Sequence, residues 1–531
     1  MRKEFIVTSL LIITLNILLS FFYQPIWWSM VLFGPFILLG TYDYLQSTHT
    51  IMRNFPVLGR FRYLLEAIRP EINQYFVESN TNGMPFSRNE RSLIYQRAKK
   101  NIDTLPFGTQ KNLYASGYEW VNHSMAPVHV EAKDLRVIVG GPDCTQKYSA
   151  SILNISAMSF GSLSRNAILA LSGGAKDGRF ALNTGEGGIS EYHLSSGADL
   201  IWQIGTGYFG CRDHEGKFCA DSFKKKANLA NVKMIEIKIS QGAKPGHGGI
   251  LPKEKVNSEI ASIRGVPMGV DIISPPAHSS FTTPYELIDF IKTLRTLSNG
   301  KPIGFKLCLG KRREFIAVCK AMVEKNCYPD FISVDGGEGG TGAAPKEFSD
   351  HIGSPGIESQ IFIYNALVGF GIKDKIKIII TGKITTSFDI VQRIALGADL
   401  CYSARSMMMA LGCIQARVCN TNHCPVGIAT QKEEYVAGLR VNNKRFRVTS
   451  YHEETIKSLA HIIGTMGHHD TTELRPWHIV CRVGNNKIKN YSELYEYLKP
   501  GCLVDGNPPK SFERAVLNAD PSTFNQAQTS Y

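Results

Sequence analysis

The sequence predicts an α/β protein: a (β/α)8 TIM barrel preceded by an N-terminal two-helix transmembrane hairpin and a helical pre-barrel segment. Three observations predict it. From about Ala150 to Tyr402, short apolar runs alternate with helical intervals, the pattern of a parallel sheet with helical crossovers. The loops after those runs hold nearly all the unusual residues, as expected of a barrel whose sites sit on its carboxyl face. Ahead of them stand two uncharged runs and a basic stretch.

Composition limits the alternatives. A chain of 531 residues with 43% hydrophobic and 20% charged residues is globular, which excludes wholesale disorder. Its 48 glycines follow no collagen period and so belong to turns and close approaches. The net charge of +13 is spread along the chain, too diffuse to argue for nucleic acid. Twelve scattered cysteines are too few for a disulfide scaffold and fit a reducing compartment.

Phe5–Tyr23 and Ile26–Tyr42 lack charge and are separated by Gln24-Pro25. Each approaches the ~17–25 residues needed to cross a bilayer, and Tyr23, Trp27, Trp28 and Tyr42 suit its interfaces. A signal peptide is the rival reading, but no small-x-small cleavage site follows the first run. Arg2-Lys3 before the hairpin and Arg53, Arg60, Arg62 and Arg69 after it place both ends, and the catalytic domain, in the cytoplasm. The expected domains are the hairpin (1–45), a basic, mainly helical region (46–145), the barrel (146–480) and a C-terminal extension (481–531). In the second, Phe61–Ile68 reads as a helix ended by Arg69-Pro70. Nine Lys/Arg against four Asp/Glu in residues 51–100 give a solvated basic face or one drawn to anionic lipid.

Nine strands are expected: 151–158, 180–183, 200–204, 234–239, 269–273, 303–309, 331–334, 377–380 and 399–402. A barrel needs eight, so at least one is accessory. Residues 314–325, 358–369 and 387–396 read as helices between them. A doubly wound sheet is the alternative, but no Gly-x-Gly-x-x-Gly fingerprint follows a first strand.

Three groups carry chemistry. Cys413, Cys419 and Cys424 share one short loop, the last followed by Pro425. Three convergent thiolates suit an iron–sulfur cluster, three-iron rather than four-iron; zinc with His423, or three unliganded thiols, are the alternatives. Next, Asp335-Gly336-Gly337 through Gly340-Thr341, then Gly382-Lys383, then Ala404-Arg405, follow the last strands. Glycine-exposed amides there bind phosphate, although any one loop could be only a turn. Lys306, on an apolar strand, needs an anionic partner such as the N1–O2 edge of a reduced flavin. Finally, Lys244 and Arg264 suit a dicarboxylate, and Glu186 is the acid/base candidate. The plainer readings are surface charges and a backbone anchor.

Taken in order, Ser156-Ala157-Met158-Ser159-Phe-Gly-Ser162, Asn183-Thr-Gly-Glu-Gly-Gly188, Gln241–Gly249, Ile273-Ser-Pro-Pro276, Gly339-Gly-Thr-Gly342 and Cys413–Gln431 resemble the flavin-binding synthase domain of the glutamate synthase family, over about residues 90–480. The resemblance implies a barrel binding FMN and a [3Fe-4S] cluster that reduces 2-iminoglutarate, formed from 2-oxoglutarate and ammonia, to L-glutamate. It makes Cys413, Cys419 and Cys424 the cluster ligands, Lys244 and Arg264 the 2-oxoglutarate ligands, and Glu186 a proton donor. Ser156–Ser159, Lys306 and the late glycine loops would hold FMN.

Departures from the family shape the expectation. Ile250 stands where the large enzymes of the family have glutamine, so a different oxo acid is an alternative substrate. Neither an amidotransferase domain nor a dinucleotide fold is expected. Ammonia would come from outside the chain, and electrons from ferredoxin or a separate reductase subunit. An FMN/iron–sulfur electron-transfer subunit of a membrane complex is the alternative function.

Overall fold

Eight of the nine expected strands pair edge to edge, all parallel, and close on themselves. They are β1 (Leu153–Ile155), β2 (Leu182–Asn183), β3 (Leu200–Ile204), β4 (Val232–Lys238), β5 (Ile303–Leu307), β6 (Phe331–Asp335), β7 (Lys377–Thr381) and β8 (Leu400–Ser403). β8 joins β1 with Ser403 opposite Ile155, so the sequence order runs once around the barrel. The computed structural model describes residues 1–506 and 508–525. It divides into two compact units, Met1–Arg88 and Asn89–Tyr531; the stretch 46–145 is thus shared between them.

Two strand expectations change. The ninth run, 269–273, contributes only Ile272–Ile273, which pairs antiparallel with Ile250–Leu251 outside the barrel. Gly269 takes φ +75°, and Val270 and Ile273 are exposed, so this run has no core to face. The first run, 151–158, is cut at Ile152. Tyr148–Ser151 pairs instead with Arg136–Val139 in an antiparallel hairpin. Val139, Tyr148 and Ala150 of that hairpin pack on Ala181, Ile201, Met234, Phe331, Ile379 and Leu400, an apolar plug under the barrel. Burial of such surface stabilises by ~25 cal/mol per Å².

The helices start where their caps dictate. Ser164 accepts from the Ala167 amide, and Thr283 with Glu286 and Thr386 with Asp389 form reciprocal capping boxes. Strand Ile479–Gly484 pairs with Glu119–Val121 and with Lys487–Asn490, drawing the C-terminal extension onto the pre-barrel segment.

In the N-terminal unit, helices Arg2–Ser20 and Ser29–Leu45 flank a 3-10 turn, Gln24–Trp28. Arg2–Ser20, and the turn and second helix taken together as Gln24–Leu45, are long and apolar enough to cross a membrane. Asn16 accepts from the Ser29 hydroxyl at 2.5 Å, linking them. Buried Asp43 accepts from the Val57 amide and from Arg60 at 2.7 Å. Helix Gly59–Ile72 does not end at Arg69-Pro70 as the sequence suggests. Proline lacks one donor, but the Asn73 amide still reaches the Arg69 and Pro70 carbonyls.

At the barrel floor, Asp330 is fully buried beside Arg295 at 3.0 Å. It also accepts from the Ile303 amide at 2.7 Å and the Gly141 amide at 2.6 Å. It thus ties β5, the plugging hairpin and helix Pro284–Leu297 together. Asp330→Ala strips the buried Arg295 guanidinium of its close carboxylate, leaving only the half-exposed Asp143 at 3.7 Å, and should cost roughly 3 kcal/mol, read as a fall in the urea midpoint; an unchanged midpoint would refute this role.

Candidate functional site

Above the apolar plug the barrel interior turns polar. Inward positions on a strand recur every second residue, so Glu236 and Lys238 on β4 both face in. Glu236 is fully buried and accepts from Asn183 at 2.8 Å, Gln203 at 2.6 Å and Ser333. Lys306 on β5 lies in register with Lys238 and with Ser333. Its ammonium pairs with Asp335 at 3.2 Å, so the anionic partner it needs is supplied by β6. Burial alone would lower its pKa; the charges of Asp335, Glu236 and Glu186 outweigh that and raise it.

One layer higher, Lys238 Nζ donates to Glu186 Oε1 at 2.8 Å. Burial would raise the Glu186 pKa, but the pair with Lys238 and the charges of Arg264 and Lys244 hold it below the usual range. Lys244 donates to the Ala343 carbonyl at 2.7 Å. Burial, then the nearby Lys238 charge, pull its pKa down to about 8. Arg264 donates to the Phe160 carbonyl at 3.0 Å and lies 5.1 Å from the Phe209 ring; burial brings it down to about 10. Its Nε has no hydrogen-bond partner among the described residues. A Cβ at Gly249 would sit 2.6 Å from Glu186 Oε1, and one at Gly205 2.7 Å from Oε2. Both glycines are set by this carboxylate.

The structure therefore brings Glu186, Lys244 and Arg264 together and adds Lys238, which the sequence reading passed over. His278, also passed over, donates from Nε2 to the Lys238 carbonyl at 2.9 Å and accepts at Nδ1 from the Tyr208 hydroxyl at 3.0 Å. Burial lowers its pKa to about 4, so the ring is neutral. The signal for Lys238 was present: two charged residues spaced by two in the apolar run Val232–Lys238.

The glycine loops meet at the same end of the barrel. Ser156, after β1, bonds Thr381 of β7 at 3.1 Å between hydroxyls. A Cβ at Gly340 would land 2.8 Å from Arg405 Cδ, and one at Gly242 would strike the Gly336 carbonyl. Arg405 donates to the Glu338 carbonyl at 2.7 Å. Gly382 and Lys383 take φ of +112° and +51°, turning the chain after β7. Gly337 donates to the Ser354 carbonyl at 2.8 Å, and Thr341 accepts from Gln241 at 3.3 Å. The Ala157–Ser159 turn packs on Gly185, next to Glu186.

Cys413, Cys419 and Cys424 are free thiols. Among the described residues no group of three or more His, Cys, Asp or Glu side chains is arranged to hold a metal ion. Burial first, then the neighbouring thiols, raise Cys413 to about 11 and push Cys419 upward. The loop is stitched down by Asn422, which donates to the Glu254 carbonyl at 2.9 Å and accepts from the Gln431 amide at 2.7 Å. Lys255, another residue passed over, is buried beside the thiols and donates to the Cys419 and Ala429 carbonyls, both at 2.8 Å. His423 is exposed, with Nδ1 on the Thr421 carbonyl and Nε2 on Lys432, both at 2.6 Å. That arrangement turns it away from a fourth-ligand role.

A closed parallel barrel whose carboxyl end gathers glycine loops, an ion-paired carboxylate and buried cations has the build of a barrel enzyme. The family pattern described as "Conserved region in glutamate synthase" matches residues 121–469. The chain is 36% identical over 494 residues to the glutamate synthase large subunit-like protein YerD of Bacillus subtilis (strain 168), covering 85% of this chain and 93% of that one. It is 36% identical over 323 residues to the archaeal glutamate synthase (NADPH) of Methanocaldococcus jannaschii, covering 60% of each. Among solved structures, mandelate oxidase with benzoyl-formic acid overlays with a TM-score of 0.42 at 14% identity, over 75% of this chain and 98% of that one. The barrel itself rests on its own strand pairing. The chain belongs to the glutamate synthase family, a family of oxidoreductases.

Lys244 is protonated below about pH 8 and neutral above it. A dicarboxylate bound between Lys244 and Arg264 should therefore be held progressively less tightly as pH rises through about 8. Calorimetric titration with glutarate checks this, and Lys244→Gln should flatten the profile; a flat wild-type profile would count against Lys244 as a carboxylate ligand.

Proposed function

We propose that the chain carries out the reductive amination of 2-oxoglutarate, through 2-iminoglutarate, to L-glutamate, using FMN and a [3Fe-4S] cluster. The observation that carries the reading is the Glu186–Lys238 pair flanked by two buried cations, Lys244 and Arg264, which donate to backbone carbonyls. Those cations suit the two carboxylates of the oxo acid, with the guanidinium giving bidentate geometry. Glu186, held ionised by Lys238, suits the removal of a proton from the incoming nitrogen, whereas the family resemblance would have it donate one.

The residues fit FMN. The cradle formed by Gly336, Gly340 and Arg405 is crowded enough that a Cβ would fill it, which suits a phosphate approached by backbone. Ser156–Ser159, Lys306, Asp335, Gly337, Thr341, Gly382, Lys383 and Ala404 would complete the cofactor contacts. Bound FMN supplies the hydride for the imine. In this reading ammonia is the nitrogen donor, and ferredoxin or a reductase subunit supplies the electrons. A second reading, an FMN/iron–sulfur electron-transfer subunit, is favoured by Ile250, which follows directly on the Gly249 that abuts Glu186. Stopped-flow mixing of anaerobically reduced protein with 2-oxoglutarate plus ammonium decides: reoxidation dependent on both supports the synthase, and indifference to both supports the relay.

The chemistry of the donors, rather than their arrangement, supports an iron–sulfur group: three buried or half-buried soft thiols outside any disulfide, with the Lys255 ammonium beside them to offset thiolate charge. Such a cluster passes single electrons. Anaerobically prepared protein should contain about three irons per chain, lost in Cys419→Ser; stoichiometric zinc without iron would overturn the assignment.

The N-terminal unit reads as a membrane anchor with the barrel on the cytoplasmic side. Beyond the two apolar helices, Gly59–Ile72 exposes Phe61, Leu64, Leu65 and Ile68 along one stripe, the spacing of a helix lying in a lipid interface. A chain starting at Asn89 should be soluble and keep its yellow flavin, whereas the full chain sediments with membranes. Loss of flavin in the shortened chain would make the first unit structural instead.

A further inference from the structure

Among the cations near the barrel mouth, Lys306, Lys244, Arg264 and Lys238 are buried, and their partners sort them. Lys306 is committed to Asp335. Lys244 and Arg264 donate to backbone carbonyls, so their charge is left for a ligand. Lys238 alone is bonded to a carboxylate that is itself held ionised, with Glu186 its one hydrogen-bond partner among the described residues. Its side chain keeps 11% exposure and that of Glu186 18%, so both ends of the pair open onto the mouth. The Lys238 charge acts on Lys244, and the Lys244 and Arg264 charges act on Glu186. A substrate held by the outer two cations is therefore held against the pair. His278 fixes the strand end beneath Lys238 through the carbonyl, and its neutral ring adds no competing charge.

We propose that Lys238 is a catalytic acid, the residue that expels water when the oxo acid and ammonia condense to the imine. This rests on the reductive amination proposed above. Ammonia adds to C2 of the oxo acid, and Glu186 takes a proton from the new ammonium nitrogen while Lys238 protonates the alkoxide. The proton on Glu186 returns to Lys238 across their 2.8 Å bond. Lys238 then gives a second proton to the C2 hydroxyl. The carbon–oxygen bond breaks, water leaves, and the nitrogen lone pair forms the carbon–nitrogen double bond. The substrate ends as an iminium cation facing the Glu186 carboxylate, and Lys238 ends as a neutral amine. One proton is consumed and no electron moves, so the step needs no oxidant or reductant.

Lys238→Arg separates an acid from a mere counter-ion. Arginine keeps the charge and the pair with Glu186 but does not release a proton near neutral pH. Calorimetry should give 2-oxoglutarate affinity within about threefold of wild type, while reoxidation of the reduced protein by 2-oxoglutarate plus ammonium slows by about 10²–10⁴-fold. Reduction of the flavin by L-glutamate, which reaches the imine without losing water, should fall less than roughly tenfold. Lys238→Gln should behave alike in the forward direction, providing a second variant if the first folds poorly. Forward rates in Lys238→Arg within about threefold of wild type, or equal losses in both directions, would overturn the acid role and leave Lys238 a positioning residue. A wild-type protein indifferent to 2-oxoglutarate and ammonium would overturn the reaction and this step together, a result distinct from normal wild-type turnover with an unimpaired variant.

Discussion

The 2.8 Å ion pair between Lys238 and Glu186 is the contact around which the carboxyl end of the barrel is organised. A charged side chain taken from water needs a partner of opposite charge or several hydrogen bonds. The pair joins the last residue of β4 to the loop after β2, so two strands that are not neighbours are held in one arrangement at the mouth. It also dictates glycine at 205 and 249, since a side chain at either would occupy the space of the carboxylate. Local backbone, charge and packing agree at this point because one buried carboxylate constrains all three.

Below that pair the barrel is divided into two layers with opposite physics. The lower is an apolar plug that stabilises by burial. The upper holds Glu236, Lys306 and Asp335, each satisfied by named partners. A fully satisfied polar network fixes side-chain positions, whereas a broken one is costly. Apolar residues of similar volume would serve stability as well or better. A polar layer confined to the carboxyl half is thus what a site demands rather than what folding requires.

Much of this was legible in the sequence, and the limits have physical causes. Leu200–Ile204 could be read directly, because a strand buried on both faces is a nearly continuous apolar run bounded by turns, broken here only at Gln203, which donates to Glu236. The run 269–273 also carries three aliphatic residues, yet Val270 and Ile273 are exposed, and composition does not report surroundings. Tyr148–Ser151 escaped notice as a separate strand because only Ile152 divides it from β1. Glu186, Lys244 and Arg264 stood out through their glycine-rich or motif context. Lys306 stood out as the lone charge on an apolar strand, but Lys238, Glu236 and Lys255 lie among further charges, Lys233 and Lys253 included, so nothing in the sequence singled them out. Glu186 lies 52 residues from Lys238, and the Cys419 carbonyl 164 from Lys255.

The balance of charge at the mouth gives the site its direction. Lys306 and Lys238 spend their charge on Asp335 and Glu186, while Lys244 and Arg264 spend theirs on carbonyl oxygens, which carry only partial charge. Burial then lowers both, to about 8 and about 10, because desolvation outweighs the attraction of the Glu186 carboxylate, and at Lys244 the Lys238 charge adds to that deficit. A ligand with two carboxylates removes that deficit, and by linkage it must raise both values as it binds. Protonation of Lys244 and capture of the dianion are one equilibrium seen from two sides. Glu186 carries the opposite logic: already supplied with cations, it stays ionised and resists a third carboxylate. On the proposed reading, the outer cations meet two anionic groups and the inner pair a neutral or positive nitrogen, the charge pattern of an oxo diacid becoming an imine.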